Sequence, residues 1–239
     1  MSTREQRIHR LIGRSATDRR TGEVLWRVVS TDGLDVVHGD LDRPFFIASV
    51  SKLFAVVCLA QLRDEGRLDW DAPIAGYMPD LDLRGLAVET TGGRTRDVSV
   101  EITVREVMAH TAGLADYFEG PRPDGPTTLE RAIATDFSWT AEEVVEWTRA
   151  MTPGRRGRGL YSDTGFQLLD ADDLHLPLLL ASVDGQGGVV STLRDGVVFL
   201  QAYFDGRLFD AALLDEMLTD WHRIFSPLEY GTGVMRFRL

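Results

Sequence analysis

The order in which the hydrophobic period changes along the chain limits its fold more than any single motif. Residues 24–38 read as a β-hairpin: Val24, Trp26, Val28 and Val29 form one apolar run, Thr31-Asp32-Gly33 supplies the turn, and Leu34, Val36 and Val37 return. Residues 49–65 then switch to helical spacing, with Leu53, Val56, Val57, Ala60 and Gln61 in phase and Gly66 as the stop. Residues 68–100 read as loop, broken by Pro73, Pro79 and Gly92-Gly93. Short helices are predicted over 103–109, where Thr103 caps toward Glu106, and over 140–151, where Thr140 and Glu143 repeat the pair. Further helices are predicted over 162–170 and about 192–204, with a final strand over 229–239. The proline-rich stretch 119–127 reads as a surface loop, 155–159 as a flexible basic loop, and Gly185, Gly187 and Gly188 as a turn. Strands, then helices, then a strand predict an α+β fold with a helical lobe rather than a parallel βαβ array.

Composition narrows the functional classes. At 239 residues and 44% apolar content the chain can bury a sizeable core. We expect a polar N-terminal segment over 1–22 and one domain over 23–239. A net charge of −11 argues against non-specific nucleic-acid binding, which needs a basic surface. The local excess of Arg4, Arg7, Arg10, Arg14, Arg19 and Arg20 reads as a solvated N-terminal segment. The single cysteine, Cys58, cannot form an internal disulfide and reads as packing within the apolar run 53–62. No signal peptide and no bilayer-length apolar run is found, so a soluble, cytoplasmic protein is expected. His9, His38, His175 and His222 show no metal-ligand spacing, and neither a metal nor a cofactor is predicted. There is no Gly-x-Ser-x-Gly elbow, and Gly185-Gln186-Gly187-Gly188 lacks dinucleotide spacing.

The chemistry is concentrated around one residue. The chain holds 25 arginines and a single lysine, Lys52. Arginine cannot lose its proton in a protein, whereas a buried lysine can become neutral, so a lone lysine is a candidate for work requiring a titratable amine. Lys52 follows Ser49 by three residues at the start of the predicted helix, and positions i and i+3 share one helix face. A neutral amine there can take the proton of a serine hydroxyl and make it a nucleophile. The helix N-terminus favours negative charge developing nearby. Ser-x-x-Lys alone also fits a capping serine followed by a solvated lysine.

The segment from Phe45 to Phe54, with Ala48-Ser49-Val50-Ser51-Lys52 at its centre, resembles the active-site segment of the serine β-lactamase and penicillin-binding-protein superfamily. It is closest to the class C, D,D-peptidase and esterase branch. Gln61 to Asp71, Ile102 to Leu114 (with His110-Thr111-Ala112-Gly113), Tyr161-Ser162-Asp163 and Gly187 to Asp195 follow in the family's order. The resemblance covers about 24–170 and 180–239. It implies an antiparallel sheet flanked by helices plus a helical lobe, and an acyl-enzyme formed on Ser49. It also implies Lys52 as the base or as a group tuning its neighbours, and Tyr161 as a proton shuttle. His110 then begins a structural turn instead of serving in a triad.

The chain departs from the family in three places. The stretch between the tyrosine motif and the Gly-Gly turn is shortened, with Leu169-Asp170 running almost directly into Asp172-Asp173-Leu174-His175. Asp163 stands where the family usually has asparagine. An amide donates to substrate; an ionised aspartate cannot, and it favours the charged form of Lys52. Asp163 remains the substrate-binding candidate, with its role open. No Lys- or His-[Ser/Thr]-Gly motif follows Tyr161, and Gly231-Thr232-Gly233 is a partial echo without the basic residue. The last sheet strands are therefore expected to be missing, with an exposed edge and slow turnover, since that motif's strand supplies an oxyanion donor in the family. Two functions remain: a serine acyl hydrolase acting on a β-lactam, an ester or a D-Ala-D-Ala-type amide, or a non-catalytic member acting as a binding or scaffold protein. The expected partner is a small-molecule or peptide acyl substrate, with no nucleic acid and no membrane span.

Overall fold

The computed structural model describes residues 3–17, 22–135, 139–169 and 189–238. In chain order the helices are α1 (Thr3–Ala16), α2 (Ser51–Asp64), α3 (Val104–Met108), α4 (Thr128–Ala134), α5 (Ala141–Arg149), α6 (Asp163–Leu169), α7 (Leu193–Phe204) and α8 (Ala211–Met217). The strands are β1 (Trp26–Val29), β2 (Asp35–His38), β3 (Phe45–Phe46), β4 (Val88–Thr91), β5 (Arg94–Asp97), β6 (Val190–Ser191), β7 (His222–Phe225), β8 (Leu228–Tyr230) and β9 (Met235–Phe237). Among the described residues every strand pairing is antiparallel, in keeping with an α+β fold. The chain divides into two compact units, Met1–Ile47 with Val189–Arg207 and Ala48–Gly188 with Leu208–Leu239.

In the first unit the arginine-rich segment forms α1, of which only Ile12 is buried among its described residues. The predicted hairpin is present, with Trp26 opposite His38 and Val29 opposite Asp35. Gly33, at φ 86°, takes the left-handed turn position. Strand β3 pairs with β6. Helix α7 begins at Thr192, whose hydroxyl accepts the Asp195 N–H.

The second unit is built on α2. A 3-10 turn, Ala48–Val50, leads into it, and Gly66 at φ 69° ends it. Its inner face buries Ala55, Val56, Leu59 and Ala60. Trp70, fully buried, donates its indole N–H to the Leu59 carbonyl at 3.1 Å and lies under the guanidinium of Arg63. Every residue of α6 is buried, and a helix covered on all sides is held by its neighbours rather than by its own propensity. Thr103 with Glu106 and Thr140 with Glu143 form complete capping boxes, as predicted; Thr127 with Glu130 forms a third and starts α4.

Three local readings change. Residues 88–97, expected as loop, are the β4–β5 hairpin turning on Gly92 and Gly93, both at positive φ. Its strands bury no residue fully, so no apolar alternation marked them. The single strand expected over 229–239 is β8 and β9 with a turn between, because Gly231 N–H bonds back to the Val234 carbonyl at 2.7 Å. The basic loop 155–159 is pinned at Arg156, which makes a two-pronged ion pair with Glu106 and donates to the Glu101 carbonyl. The glycine turn expected over 185–188 lies outside the described residues. Among the described residues no helix is long and apolar enough to cross a membrane.

Candidate active site

The start of α2 presents two serines in opposite settings. Ser49, in the 3-10 turn, is exposed, whereas Ser51 is 1% exposed. The residue before Ser49, Ala48, has φ 47°, a conformation that costs a non-glycine residue about 1–2 kcal/mol. Lys52 is 1% exposed, and its Nζ lies 3.3 Å from Ser49 Oγ. The same nitrogen lies 2.6 Å from Asp163 Oδ1, in an ion pair whose two side chains are 1% and 7% exposed. It also sits 5.3 Å from the Tyr161 ring centre and 5.7 Å from that of Phe166. Burial pushes the Tyr161 phenol above its ordinary value; the Lys52 charge and hydrogen bonding with Ser49 and Lys52 oppose that shift. The four residues singled out in the sequence, Ser49, Lys52, Tyr161 and Asp163, thus meet in one cluster.

Two further residues complete it. Asp116 Oδ1 accepts the backbone N–H groups of Asp163 and Phe118, each at 3.1 Å, and so tethers the first residue of α6 to the loop after Gly113. Burial first, and the neighbouring Asp163 second, push the Asp116 carboxyl up to about 6. Nothing in the sequence marked it, since a lone aspartate in a loop carries no spacing signal. His110 is buried, accepts the Ser162 N–H on Nδ1 at 3.1 Å and stacks on Tyr161 with ring centres 4.4 Å apart. Burial, reinforced by the Lys52 charge, drives its imidazole down to about 3.

Asp116 makes the stability of the fold depend on pH. Its folded-state value lies above the roughly 3.9 of an unfolded aspartate, so the native state binds the extra proton. The group's contribution is fully present below about pH 4 and is lost as pH rises through about 6. The loss is on the order of 2–3 kcal/mol. Asp116→Asn removes the charge, so the stability of the variant relative to the parent is expected to rise by about that amount between pH 4 and 7. Urea unfolding at stepped pH reads the difference; a difference that stays flat across the range refutes it.

The turn Gly231-Thr232-Gly233 has another task than holding an oxyanion. Its three backbone N–H groups bond to the carbonyls of Val234, Met217 and Met108 at 2.7, 3.2 and 2.9 Å. Gly233, at φ 77°, lies against Val56 of α2, where an added Cβ would stand 2.5 Å from a methyl. The turn therefore braces the helix that carries Ser49 and Lys52, and its amides are not free to meet a substrate.

Comparisons with known proteins bear on the fold and the family. A structure of a D-stereospecific amidohydrolase from Streptomyces sp. superposes with a TM-score of 0.64 at 23% identity, over 86% of this chain and 75% of that one. A D-amino acid amidase from Ochrobactrum anthropi SV3 gives 0.62 at 26% identity, over 82% and 72%. In sequence, the acyltransferase calJ of Penicillium decumbens is 32% identical over 194 residues, 79% of this chain and 40% of that protein. The chain therefore spans about two fifths of that relative's length. The family model described as Beta-lactamase matches residues 3–171, well over half of the sequence, and the chain belongs to that family.

Proposed function

We propose that the chain is a serine acyl hydrolase or acyltransferase that forms an acyl-enzyme on Ser49. The observation that carries this reading is the exposed Ser49 hydroxyl 3.3 Å from the buried amine of the only lysine in the sequence. In this reading Ser49 Oγ attacks an acyl carbonyl. Its proton passes to the Lys52–Tyr161 pair and from there to the leaving group. The relatives include an acyltransferase and amidases by name, so an ester, a simple amide and a β-lactam are all reasonable acyl donors.

Asp163 qualifies the mechanism. Its oxygen is nearer to Lys52 Nζ than Ser49 Oγ is, at 2.6 against 3.3 Å, so the nearest partner of the amine is a carboxylate and not the nucleophile. The base must therefore be freed before each acylation. That favours a second reading, a family member that binds acyl compounds and turns them over slowly.

Labelling tests the acyl-enzyme, and the rate at which the label is then lost separates the two readings. The protein is incubated with a fluorescent penicillin or a p-nitrophenyl ester and followed by intact mass. We expect one acyl group per chain, mapped by peptide digestion to Ser49. A buried hydroxyl cannot reach a reagent, so Ser51 should remain unmodified. An adduct on Ser51, or none with either reagent, overturns the acyl-enzyme reading.

A further inference from the structure

We propose that His110 is a positioning residue that holds Tyr161 against the Ser49–Lys52 pair, as a neutral imidazole. The inference rests on the reading of Tyr161 as a proton-transfer group given above.

The contacts enclose Tyr161 from three sides. The His110 backbone carbonyl accepts the N–H of Leu160 at 2.8 Å, and its Nδ1 accepts the N–H of Ser162 at 3.1 Å. One residue thus holds the amide N–H of the residue before Tyr161 and that of the residue after it. Its ring then stacks on the phenol itself, 4.4 Å between centres and 26° between planes. A stacked pair of this kind resists ring rotation through its whole contact area, not at one atom.

The protonation state follows from the same bonds. Nδ1 accepts, so the neutral ring carries its hydrogen on Nε2, and Nε2 is buried without a hydrogen-bond partner. Tyr230 lies 4.4 Å from the imidazole, with the planes at 89°, and 6.2 Å from Tyr161. These distances put Tyr161 on the flat face of the imidazole and Tyr230 off its edge. A second cation beside Lys52 would be repelled, and the ring stays uncharged over the range in which acyl transfer would run. Its task is geometric.

The backbone carries the cost of that placement. His110 has φ 55°, and the other non-glycine residue with positive φ among the described residues is Ala48, next to Ser49. Strain of this kind persists where the surroundings over-determine a conformation, and it collects at functional sites.

A double-mutant cycle tests the inference, with the burst of p-nitrophenolate from p-nitrophenyl acetate as readout. His110→Asn tolerates the left-handed backbone, and its side-chain carbonyl can still take the Ser162 N–H, so it removes the stacked ring and little else. Tyr161→Phe should slow acylation by about 10²-fold or more. His110→Asn should slow it by roughly 10- to 100-fold in the parent, the scale of a misplaced reacting group. In the Tyr161→Phe background it should cost less than about 3-fold, because the residue it acts through is already gone. Thermal midpoints should fall equally in both backgrounds. Equal rate losses in both backgrounds overturn the inference and leave the reading of the site intact. A Tyr161→Phe protein as fast as the parent overturns both. Should His110→Asn not fold, His110→Gly, which suits the positive φ and also removes the ring, takes its place with the same expected dependence on Tyr161.

Discussion

Lys52→Arg is expected to reduce acylation of Ser49 by at least about 10³-fold, the scale set by groups that act with a nucleophile as one unit. The charge opposite Asp163 survives the change, but a guanidinium cannot give up its proton to become a base. The larger head must enter a site where the lysine is 1% exposed, so overpacking should also cost about 1–3 kcal/mol. The two effects are read separately, by the time course of the mass shift with a p-nitrophenyl ester and by urea unfolding. An arginine variant that acylates at the parental rate shows that the proton leaves Ser49 by another route.

The largest stability effect should come from the other half of the same contact. Lys52→Met leaves Asp163, 7% exposed in its side chain, as a buried charge without its cation, which typically costs about 3–5 kcal/mol. Asp116 adds a second carboxylate to that neighbourhood, so removing the ammonium should hurt more than removing its partner. Asp163→Asn leaves an ammonium that still faces the rings of Tyr161 and Phe166, and its cost should be smaller. The combination Lys52→Met with Asp163→Asn should recover most of the loss, since no buried charge is then stranded. Urea midpoints of the four proteins supply the coupling. If Lys52→Met matches the parent in stability, water reaches Asp163 and the pair is not a buried one.

What the sequence made legible was local. The Ser49–Lys52 spacing and the Thr-x-x-Glu caps are short-range patterns and are present as read, while of the phase read for α2 Val56, Val57 and Ala60 are buried, Leu53 is half-buried and Gln61 is exposed. The hairpin on Gly92-Gly93 went unread because its strands lie on the surface without alternation, although its glycine pair was in view. The third cap, Thr127 with Glu130, was legible and passed over inside a proline-rich stretch. Asp163 beside Lys52 was reached through the family resemblance, and its supports were not. Asp116 holds Asp163, and His110 brackets Tyr161, only once α2, α3 and α6 pack together. Periodicity reports which face of a helix is buried, not which polar group will meet it there.

The burial of Lys52 has a consequence for the rest of the molecule. With its only lysine sealed at 1% exposure, the folded chain offers no side-chain amine to solvent. Its remaining side-chain cations are guanidiniums and imidazoles, and arginine stays protonated and unreactive toward activated esters. On the acyl-transfer reading proposed above, the surface thereby presents no side-chain amine for an activated acyl compound to modify. The single side-chain amine stands beside the serine proposed to carry the acyl group.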